Sequence, residues 1–455
     1  YYAKNVYTQE GESWFTDTAE GYRFFYDGSK GYLLGYNGTD KELILPNSFT
    51  EHNGTEITEY EIYQYAFYNC SGLTSIEIPA SVTIIGSSAF YNCSGLTSVL
   101  FGEDSRLASI GEYAFYNCSG LTNITIPDNV TSIYEKTFCN CSGLMSVSFD
   151  INSQLTSIGD SAFYGCNGLT SIEIPSGVTD IAYNSFYDCE NLENIYYLGT
   201  LADWCSIIDL GAILSDTSNG VRFYIDGIEI KGDIVIPEGV TYIGVSTFEK
   251  CDKITSIKIP STVEIIYNSA FKGCSSLERV IFAENSRLKI IAAYVFKDTK
   301  VKSINIPRSV TTIYGGWYDS EVLESVYIDD LTAWFSISFI ETHSNPLDYA
   351  DNFYCNDKLV SGELVIPADV TKIKANVLGR YYKINKIVIP ESVTSIEDQA
   401  FSGCSGLSVI EVDPNNQYYC SEDGILYNKN KTEIICYPSA KNGEQFVIPD
   451  SVTNI

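Results

Sequence analysis

The residues best able to do chemistry in this chain are its fourteen cysteines, because thiolates act as nucleophiles and bind metals. The sequence has no Cys-x-x-Cys pair of the kind that zinc and redox sites use. Thr299 and Ser320 stand where a repeat, described below, otherwise has cysteine, so this position needs a small side chain. We therefore expect buried free thiols, with disulfides between neighbouring cysteines as the alternative. Nine cysteines share the position: Cys70, Cys93, Cys118, Cys141, Cys166, Cys189, Cys251, Cys274 and Cys404.

The two histidines, His52 and His343, lie in polar, loop-like segments. With so few imidazoles, we do not expect a histidine-dependent triad or a histidine-rich metal site. Motifs for a serine nucleophile elbow, a Walker A loop and a dinucleotide-binding turn are also missing from the sequence. We predict that the chain is not an enzyme and has no catalytic residue, no cofactor and no metal. A glycosidase built on two carboxylates stays open as an alternative, because 58 acidic residues offer too many pairs to choose from.

The cysteines belong to a repeat, and the repeat determines which elements position the other side chains. Successive copies are 23 or 25 residues apart in alternation, as between Cys70, Cys93 and Cys118. A period of this length indicates a solenoid of stacked coils. In twelve copies a landmark residue stands three positions before this position, which Arg380 occupies in one copy: Phe67, Phe90, Phe115, Phe138, Phe163, Phe186, Phe248, Phe271, Phe296, Trp317, Val377 and Phe401.

Within one coil the apolar residues alternate with polar ones. Leu73, Ile76 and Ile78 are apolar and the residues between them are polar, which predicts a short strand with one buried face. Pro79 ends that strand because it cannot donate a hydrogen bond to a neighbouring strand. A second short strand leading into a helical turn should follow, with the landmark residue and the cysteine filling the far side of the coil.

The residue between the two strand aliphatics faces away from the core, so it is the best candidate for recognition. We predict a binding surface on this face that includes Glu77, Glu173, Tyr196, Lys258 and Tyr327. A second row of aromatic residues follows the landmark phenylalanine. It is expected to pack against itself from coil to coil, and the alternative is an interface. Its members are Tyr68, Tyr91, Tyr116, Tyr164 and Tyr187.

The consensus L-x-x-I-x-I-P-x-x-V-T-x-I-G-x-x-A-F-x-x-C-S-x-L resembles the BspA-like branch of the leucine-rich repeat superfamily, from about Tyr22 to Ile455. The resemblance implies a leucine-rich repeat solenoid. Such a fold is a β-rich right-handed superhelix with a parallel β-sheet on one face, short helical turns and no long helices. It also implies a secreted or cell-surface protein, because members of the family with known roles act in adhesion.

We expect one continuous solenoid with a cap, three runs of repeats, two inserts and a terminal module. Because the chain starts with Tyr1 and stops midway through a coil, we expect a processed start and a natural protein that continues beyond Ile455. The expected boundaries are an N-terminal β cap at 1–60, repeats at 61–195, a tryptophan-containing insert at 196–235, repeats at 236–326, a second such insert at 327–365, repeats at 366–412, and a β-hairpin module with an incomplete repeat at 413–455.

The composition of the chain limits which classes of molecule it is expected to bind. The formal charge of -30 disfavours nucleic acid and anionic membranes, and no apolar run reaches the length of a membrane span. We expect an adhesion or protein-binding role, with host or neighbouring-cell proteins (extracellular matrix among them) or surface glycans as partners. The alternatives are a structural spacer that presents another domain, and a carbohydrate-binding or carbohydrate-active surface protein.

Overall fold

A computed structural model describes residues 15–207, 210, 221–315, 317, 322–341, 343–441 and 445–454. The predictions made for Tyr1, Ser320 and Ile455 lie outside these residues. Two compact units divide the chain, Tyr1–Ile230 and Lys231–Ile455, and each is described by itself. Both units confirm the leucine-rich repeat solenoid, because each strand pairs in parallel with the corresponding strand of the next coil.

Each coil of the first unit contributes one strand to each of two faces. The A strands contain the alternating Ile-x-Ile segment, and the B strands follow them after the proline. The A strands are Glu42–Ile44, Ser75–Ile78, Ser98–Phe101, Asn123–Ile126 and Ser146–Phe149 in one sheet, then Ser171–Ile174, Asn194–Tyr197 and Arg222–Ile225 in another, which ends on the antiparallel strand Ile228–Glu229. The B strands are Tyr60–Ile62, Val82–Ile85, Ser109–Ile110, Ser132–Ile133, Ser157–Ile158 and Asp180–Ile181.

An antiparallel hairpin extends the sheet of B strands at its N-terminal edge. Thr16–Asp17, Tyr22–Tyr26 and Gly31–Tyr36 pair in that order, and Gly31–Tyr36 then pairs in parallel with Tyr60–Ile62. The edge of this sheet is therefore a short strand rather than an open row of repeats. A small two-stranded pair, Phe49–Thr50 with Glu56–Ile57, lies between cap and repeats in the sequence.

The second unit repeats this arrangement. Its A strands are Gly232–Val235, Ile254–Ile259 and Arg279–Phe282, then Ser303–Asn305, Ser325–Ile328 and Asn352–Cys355 with antiparallel Lys358–Leu359, then Gly362–Val365, Ile384–Ile389 and Val409–Val412. Its B strands are Tyr242–Ile243, Ile265–Ile266, Ile290–Ile291, Thr312–Ile313, Ser338–Phe339, Lys372–Ile373 and Ser395–Ile396. Three antiparallel strands follow the last A strand, Tyr419–Glu422, Ile425–Asn428 and Ile434–Cys436.

The landmark phenylalanines form a continuous stack in the interior of each unit. From Phe67 to Phe186 the ring centroids of neighbouring coils are 5.0 to 5.4 Å apart, and the ring planes differ by at most 8°. In the second unit Phe248, Phe271 and Phe296 continue the same pattern. All of these rings are buried. Each phenylalanine therefore finds its apolar contacts in the coils before and after its own.

The cysteine position ties neighbouring coils together through the backbone. The thiol of Cys118 donates to the carbonyl oxygen of Phe90 in the preceding coil at 3.1 Å, and the backbone N–H of Cys93 donates to the same oxygen at 3.2 Å. The same thiol bond recurs at Cys93, Cys141, Cys166, Cys189 and Cys274. All fourteen cysteines are free thiols. Burial raises the pKa of the Cys189 thiol to about 12, which keeps it protonated and able to donate.

After each B strand the chain makes consecutive turns, because two positions per coil have left-handed backbone angles. One lies two residues after the landmark phenylalanine, as Asn92 with φ 59° follows Phe90. The other lies two residues before it, as Ser88 with φ 55°. Neither φ can occur inside a right-handed helix. Asparagine suits the first position because it tolerates this conformation, and Asn92 also accepts from Asn117 and donates to Asn69 at 2.8 and 2.9 Å.

Among the described residues, helices occur only in the two inserts. Helix α1 (Leu201–Cys205) begins at a capping box of Thr200 and Asp203, and helix α2 (Leu331–Ser336) is capped by Asp330. Each buries one tryptophan. A 3₁₀ turn, Pro346–Asp348, follows α2. Each helix follows an A strand, and in the second insert it lies between the A strand Ser325–Ile328 and the B strand Ser338–Phe339, with its tryptophan buried in the core.

We predict that Asn92→Ala lowers the free energy of unfolding by about 2 kcal/mol, since alanine is strained at positive φ and the ladder hydrogen bonds are lost. Asn92→Gly should cost about 1 kcal/mol, because glycine adopts this φ without strain. Urea unfolding of both variants, with outward Ser98→Ala as a control near wild type, measures the difference. A glycine variant less stable than the alanine variant would contradict the role assigned to the backbone.

Thiol labelling should follow burial. Four cysteines are half-buried, namely Cys70, Cys355, Cys420 and Cys436, and the other ten are buried. We expect only these four to react in native protein, slowly, because burial raises the pKa of Cys70 and Cys436 to about 11. Denatured, unreduced protein should show close to fourteen thiols. Mass spectrometry of the labelled peptides identifies the sites, and a denatured value near zero would mean that the ladder is bridged.

Candidate binding surface

The alternation of the A strands places all five candidate residues on the outward face. In the coil of Glu77, the flanking Ile76 and Ile78 are buried and Glu77 is exposed. Glu173 and Lys258 are likewise exposed, whereas Tyr196 and Tyr327 are half-buried. Because parallel partners point to the same side, residues at one position of successive strands form rows across the sheet. The surface is therefore a set of rows rather than a cleft.

The register brings only two of the five candidates together. Glu173 is the direct partner of Tyr196 in the neighbouring strand. Glu77 is paired with Ile44 on one side and Leu100 on the other, in a different sheet. In the second unit Lys258 is paired with Val235 and Ile281, and Tyr327 with Asn305. The candidates therefore do not form one patch.

Two stacked tyrosine pairs are the most regular feature of the outward face. Tyr196 stacks on Tyr224 with ring centroids 4.7 Å apart and planes inclined by 21°. Tyr327 stacks on Tyr354 with centroids also 4.7 Å apart and planes inclined by 8°. In both units the second tyrosine belongs to the strand that follows the tryptophan helix. The two inserts therefore build the same aromatic pair.

The tryptophan of each insert supports the strand that carries the second tyrosine. The Trp204 ring lies 4.3 Å from the ring of Phe223, the neighbour of Tyr224. Trp334 lies 4.9 Å from Phe353, the neighbour of Tyr354, and its indole N–H donates to the carbonyl oxygen of Val377 at 2.8 Å. Because the phenylalanine points inward, the adjacent tyrosine must point outward.

The repeat spacing missed Tyr224 and Tyr354, because the inserts separate their strands from the periodic landmarks. The usable signal is the dipeptide Phe-Tyr after each tryptophan helix, followed by a turn at Asp226-Gly227 or Asn356-Asp357.

Exposed aliphatic side chains lie in the same outward rows, and three of them occur in A strands outside the twelve copies. Ile44 belongs to the strand before the first copy, Val235 to the first A strand of the second unit, and Val365 to the A strand that follows the second insert. The exposed fractions are 71% for Ile44, 57% for Leu100, 60% for Val235, 47% for Ile281 and 56% for Val365. In each case the preceding residue of the same strand is a buried aliphatic residue, so the exposed side chain points away from the core.

Ion pairs also lie on the outward face of the second unit. The Lys386 ammonium donates to the carboxylates of Glu411 at 2.8 Å and Glu363 at 3.0 Å on the two neighbouring strands, and these hydrogen bonds raise the pKa of Lys386. The hydroxyl groups of Ser256 and Thr255 donate to the carboxylate of Asp233 and lower its pKa. These pairs are solvent-exposed, so they fix side-chain positions more than they add stability.

The second aromatic row confirms packing from coil to coil. Tyr68, Tyr91 and Tyr116 stack at 4.9 and 4.7 Å, and Tyr164 stacks on Tyr187 at 5.4 Å. A buried cysteine, Cys139, takes the place of tyrosine in the coil between these two groups, so the row of rings is interrupted there.

The two histidines belong to different units. His52 is exposed and its ring nitrogen lies 3.3 Å from the carbonyl oxygen of Phe15, whereas His343 lies 3.8 Å from Asp348. Within the described part of the chain, no three His, Cys, Asp or Glu side chains are grouped so that they could hold a metal ion. In the same residues, no helix has the length and apolar character needed to cross a membrane.

A family model described as a BspA type leucine rich repeat region matches residues 60–193, 227–344 and 349–448, in six copies. No curated protein gives a significant sequence match. Among solved structures, the chain is similar to a leucine rich cell surface protein from Faecalibacterium prausnitzii, with 23% identity, 89% of this chain and 96% of that chain covered, and a TM-score of 0.37. A leucine-rich repeat protein from Bacteroides ovatus gives 23% identity, 90% and 95% coverage and a TM-score of 0.41. The pneumococcal vaccine antigen PcpA gives 16% identity, with 88% of this chain and 98% of that chain covered, and a TM-score of 0.46.

The stacked pair should contribute a measurable coupling. We predict that Tyr196→Ala and Tyr224→Ala each lower the free energy of unfolding, and that the double variant loses less than the sum. The expected coupling is about 0.5–1.5 kcal/mol, the usual value for an aromatic pair. Urea unfolding of the two single variants and the double variant measures it. Strict additivity would contradict a stacked pair in solution.

Proposed function

Because this chain belongs to the BspA-type leucine-rich repeat family, we propose that it is a secreted or cell-surface protein that binds other proteins through the outward face of its A strands. The observation that carries this proposal is the set of exposed aliphatic and tyrosine side chains on a face otherwise lined by polar and charged side chains. Large apolar side chains exposed within a polar surround are typical of interaction sites. Tyrosine adds contact area at a small entropy cost.

The architecture supports binding over catalysis. Inward positions are used to stack coils, so the outward positions are the ones that can vary without loss of the core. Rows of side chains on a sheet offer an extended surface but no water-excluding cleft of the kind that catalysis needs. We propose that the chain is not an enzyme. A turnover screen on polysaccharides, peptides and esters checks this, and an activity abolished by a single Asp or Glu substitution would overturn it.

We propose proteins of a host or of neighbouring cells as partners, extracellular matrix proteins among them, with surface glycans as the second class. The charge of -30 works against nucleic acids, whose phosphates would be repelled. It also favours partners with basic surfaces, since complementary charge accelerates encounter and improves specificity.

A binding array of matrix proteins and glycans tests the proposal. We expect at least one protein to bind the wild-type chain and to bind the variant with Leu100, Tyr196 and Ile281 changed to alanine at least tenfold more weakly, because about 1.4 kcal/mol of lost contact gives that factor. The control variant changes three residues away from the A strands, Tyr65, Tyr134 and Tyr183, to alanine, and it should bind like wild type.

Other outcomes decide between the alternatives. Binding to no member of the array would favour a structural spacer. Binding to glycans alone would favour the carbohydrate reading. Equal binding by both triple variants and wild type would remove the outward face of the A strands as the contact surface. Circular dichroism before each assay shows that the variants are folded.

A further inference from the structure

The negative charge of the chain is concentrated in the first unit. Residues 1–230 contain 7 Lys and Arg against 29 Asp and Glu, and residues 231–455 contain 21 against 29. The formal net charges are therefore -22 and -8. Summed charge of this size attracts cationic partners over distances of about a Debye length, roughly 8–10 Å at physiological salt. The two units offer their similar outward faces in different electrostatic surroundings.

The two tyrosine pairs differ in the residues beside them. In the first unit, Glu173 is the register partner of Tyr196 and Glu229 is the register partner of Tyr224. We call these four residues the acidic tyrosine row. In the second unit the corresponding partners are neutral: Asn305 beside Tyr327, and Leu359 beside Tyr354. These four residues form the neutral tyrosine row, which serves as an internal comparison.

We propose that the acidic tyrosine row is a docking site for an arginine-containing segment of a basic partner protein. This inference rests on the proposed function, since it names the chemistry of a protein partner for the same outward face. A guanidinium group is planar and weakly hydrated, so it packs on an aromatic ring and pairs with a carboxylate at the same time. The acidic tyrosine row places both groups side by side.

Glu173 and the two tyrosine hydroxyl groups are available for such a contact. Glu173 is exposed and, among the residues that the structure describes, has no ion-pair or hydrogen-bond partner. The hydroxyl groups of Tyr196 and Tyr224 likewise have no hydrogen-bond partner within the described residues. The nearby cation Arg222 is occupied, because its guanidinium lies 3.5 Å from the carboxylate of Glu193. An incoming arginine would therefore not compete with an existing partner of Glu173.

The spacing of the row predicts the spacing of the arginines. Glu173 and Glu229 are three strand positions apart, which corresponds to roughly 14 Å at about 4.8 Å per strand. Side chains four residues apart on an extended peptide are separated by about 13–14 Å. A segment that crosses the strands with arginines at positions i and i+4 would place one guanidinium at each carboxylate. Its backbone between them would lie over the two tyrosine rings.

Fluorescence anisotropy on the full chain tests the proposal. The probe is a labelled extended peptide with arginines at i and i+4. The comparison peptides carry either citrulline, which keeps the shape but removes the charge, or arginines at i and i+1. We expect the first peptide to bind most tightly and its affinity to fall as salt is raised from 50 to 300 mM. Glu173→Gln and Tyr196→Ala should each weaken it about five- to tenfold, as loss of roughly 1 kcal/mol predicts.

Matched variants in the neutral tyrosine row provide the control. Asn305→Ala and Tyr327→Ala should leave peptide affinity unchanged, and Asn305→Glu should raise it by making the neutral row acidic. Equal loss in the variants of both rows would overturn the proposal, as would equal binding of the arginine and citrulline peptides or no binding at all. Glu173→Gln is conservative and exposed, so a lost affinity in this variant does not reflect unfolding.

The same variants in the binding array separate this proposal from the proposed function. One array protein could bind the wild-type chain and the Glu173→Gln and Tyr196→Ala variants equally, while the arginine peptide fails to bind the wild-type chain. That result would support protein binding and refute the docking role of the acidic tyrosine row. An array without any binder would refute the proposed function itself.

Discussion

The structure depends on one constraint: no coil can bury its own phenylalanine. Phe115 is enclosed because the rings of Phe90 and Phe138 lie 5.0 and 5.4 Å away, almost parallel to it. The cysteine three residues later must be small enough to fit beside this stack, and its thiol donates to the phenylalanine carbonyl of the preceding coil. The ring stack and the thiol hydrogen bond thus both act between coils. Stability is then a sum of interfaces between neighbours, as expected for repeat proteins.

This constraint divides the sequence into two classes of positions. Inward residues must match those of the next coil, whereas outward residues of the A strands meet solvent and are free to differ. Many outward positions carry serine, threonine, asparagine or a charged side chain, and the large apolar side chains stand out against them. Each tryptophan insert also ends a sheet of A strands with an antiparallel strand. A stacked tyrosine pair lies on the last two parallel strands of that sheet. The same element therefore interrupts the array and enriches its surface.

The sequence was informative wherever the period held. The solenoid, the buried landmark residues and the outward position of Glu77 and Glu173 follow from spacing and from the two-residue alternation of strands. Tyr224 and Tyr354 could not be found this way, because inserts of irregular length precede their strands. The turns after the B strands were also not predicted. Serine has no strong preference for the left-handed backbone found at Ser88, and asparagine tolerates this backbone at Asn92 without requiring it, so contacts with neighbouring coils decide the conformation. The acidic tyrosine row could be recognised only from the pairing register of its strands, and residue spacing does not give that register.

The claim that coils stabilise one another can be tested most directly by hydrogen–deuterium exchange, with mass spectrometry, of Phe115→Ala against Leu100→Ala. The first removes a buried ring, at a cost of about 3–5 kcal/mol, and the second removes an exposed side chain of the outward face. The account predicts that Phe115→Ala increases exchange in the coils of Phe90 and Phe138 as well as in its own, and that Leu100→Ala leaves all three protected. Faster exchange confined to the coil of Phe115 would contradict it.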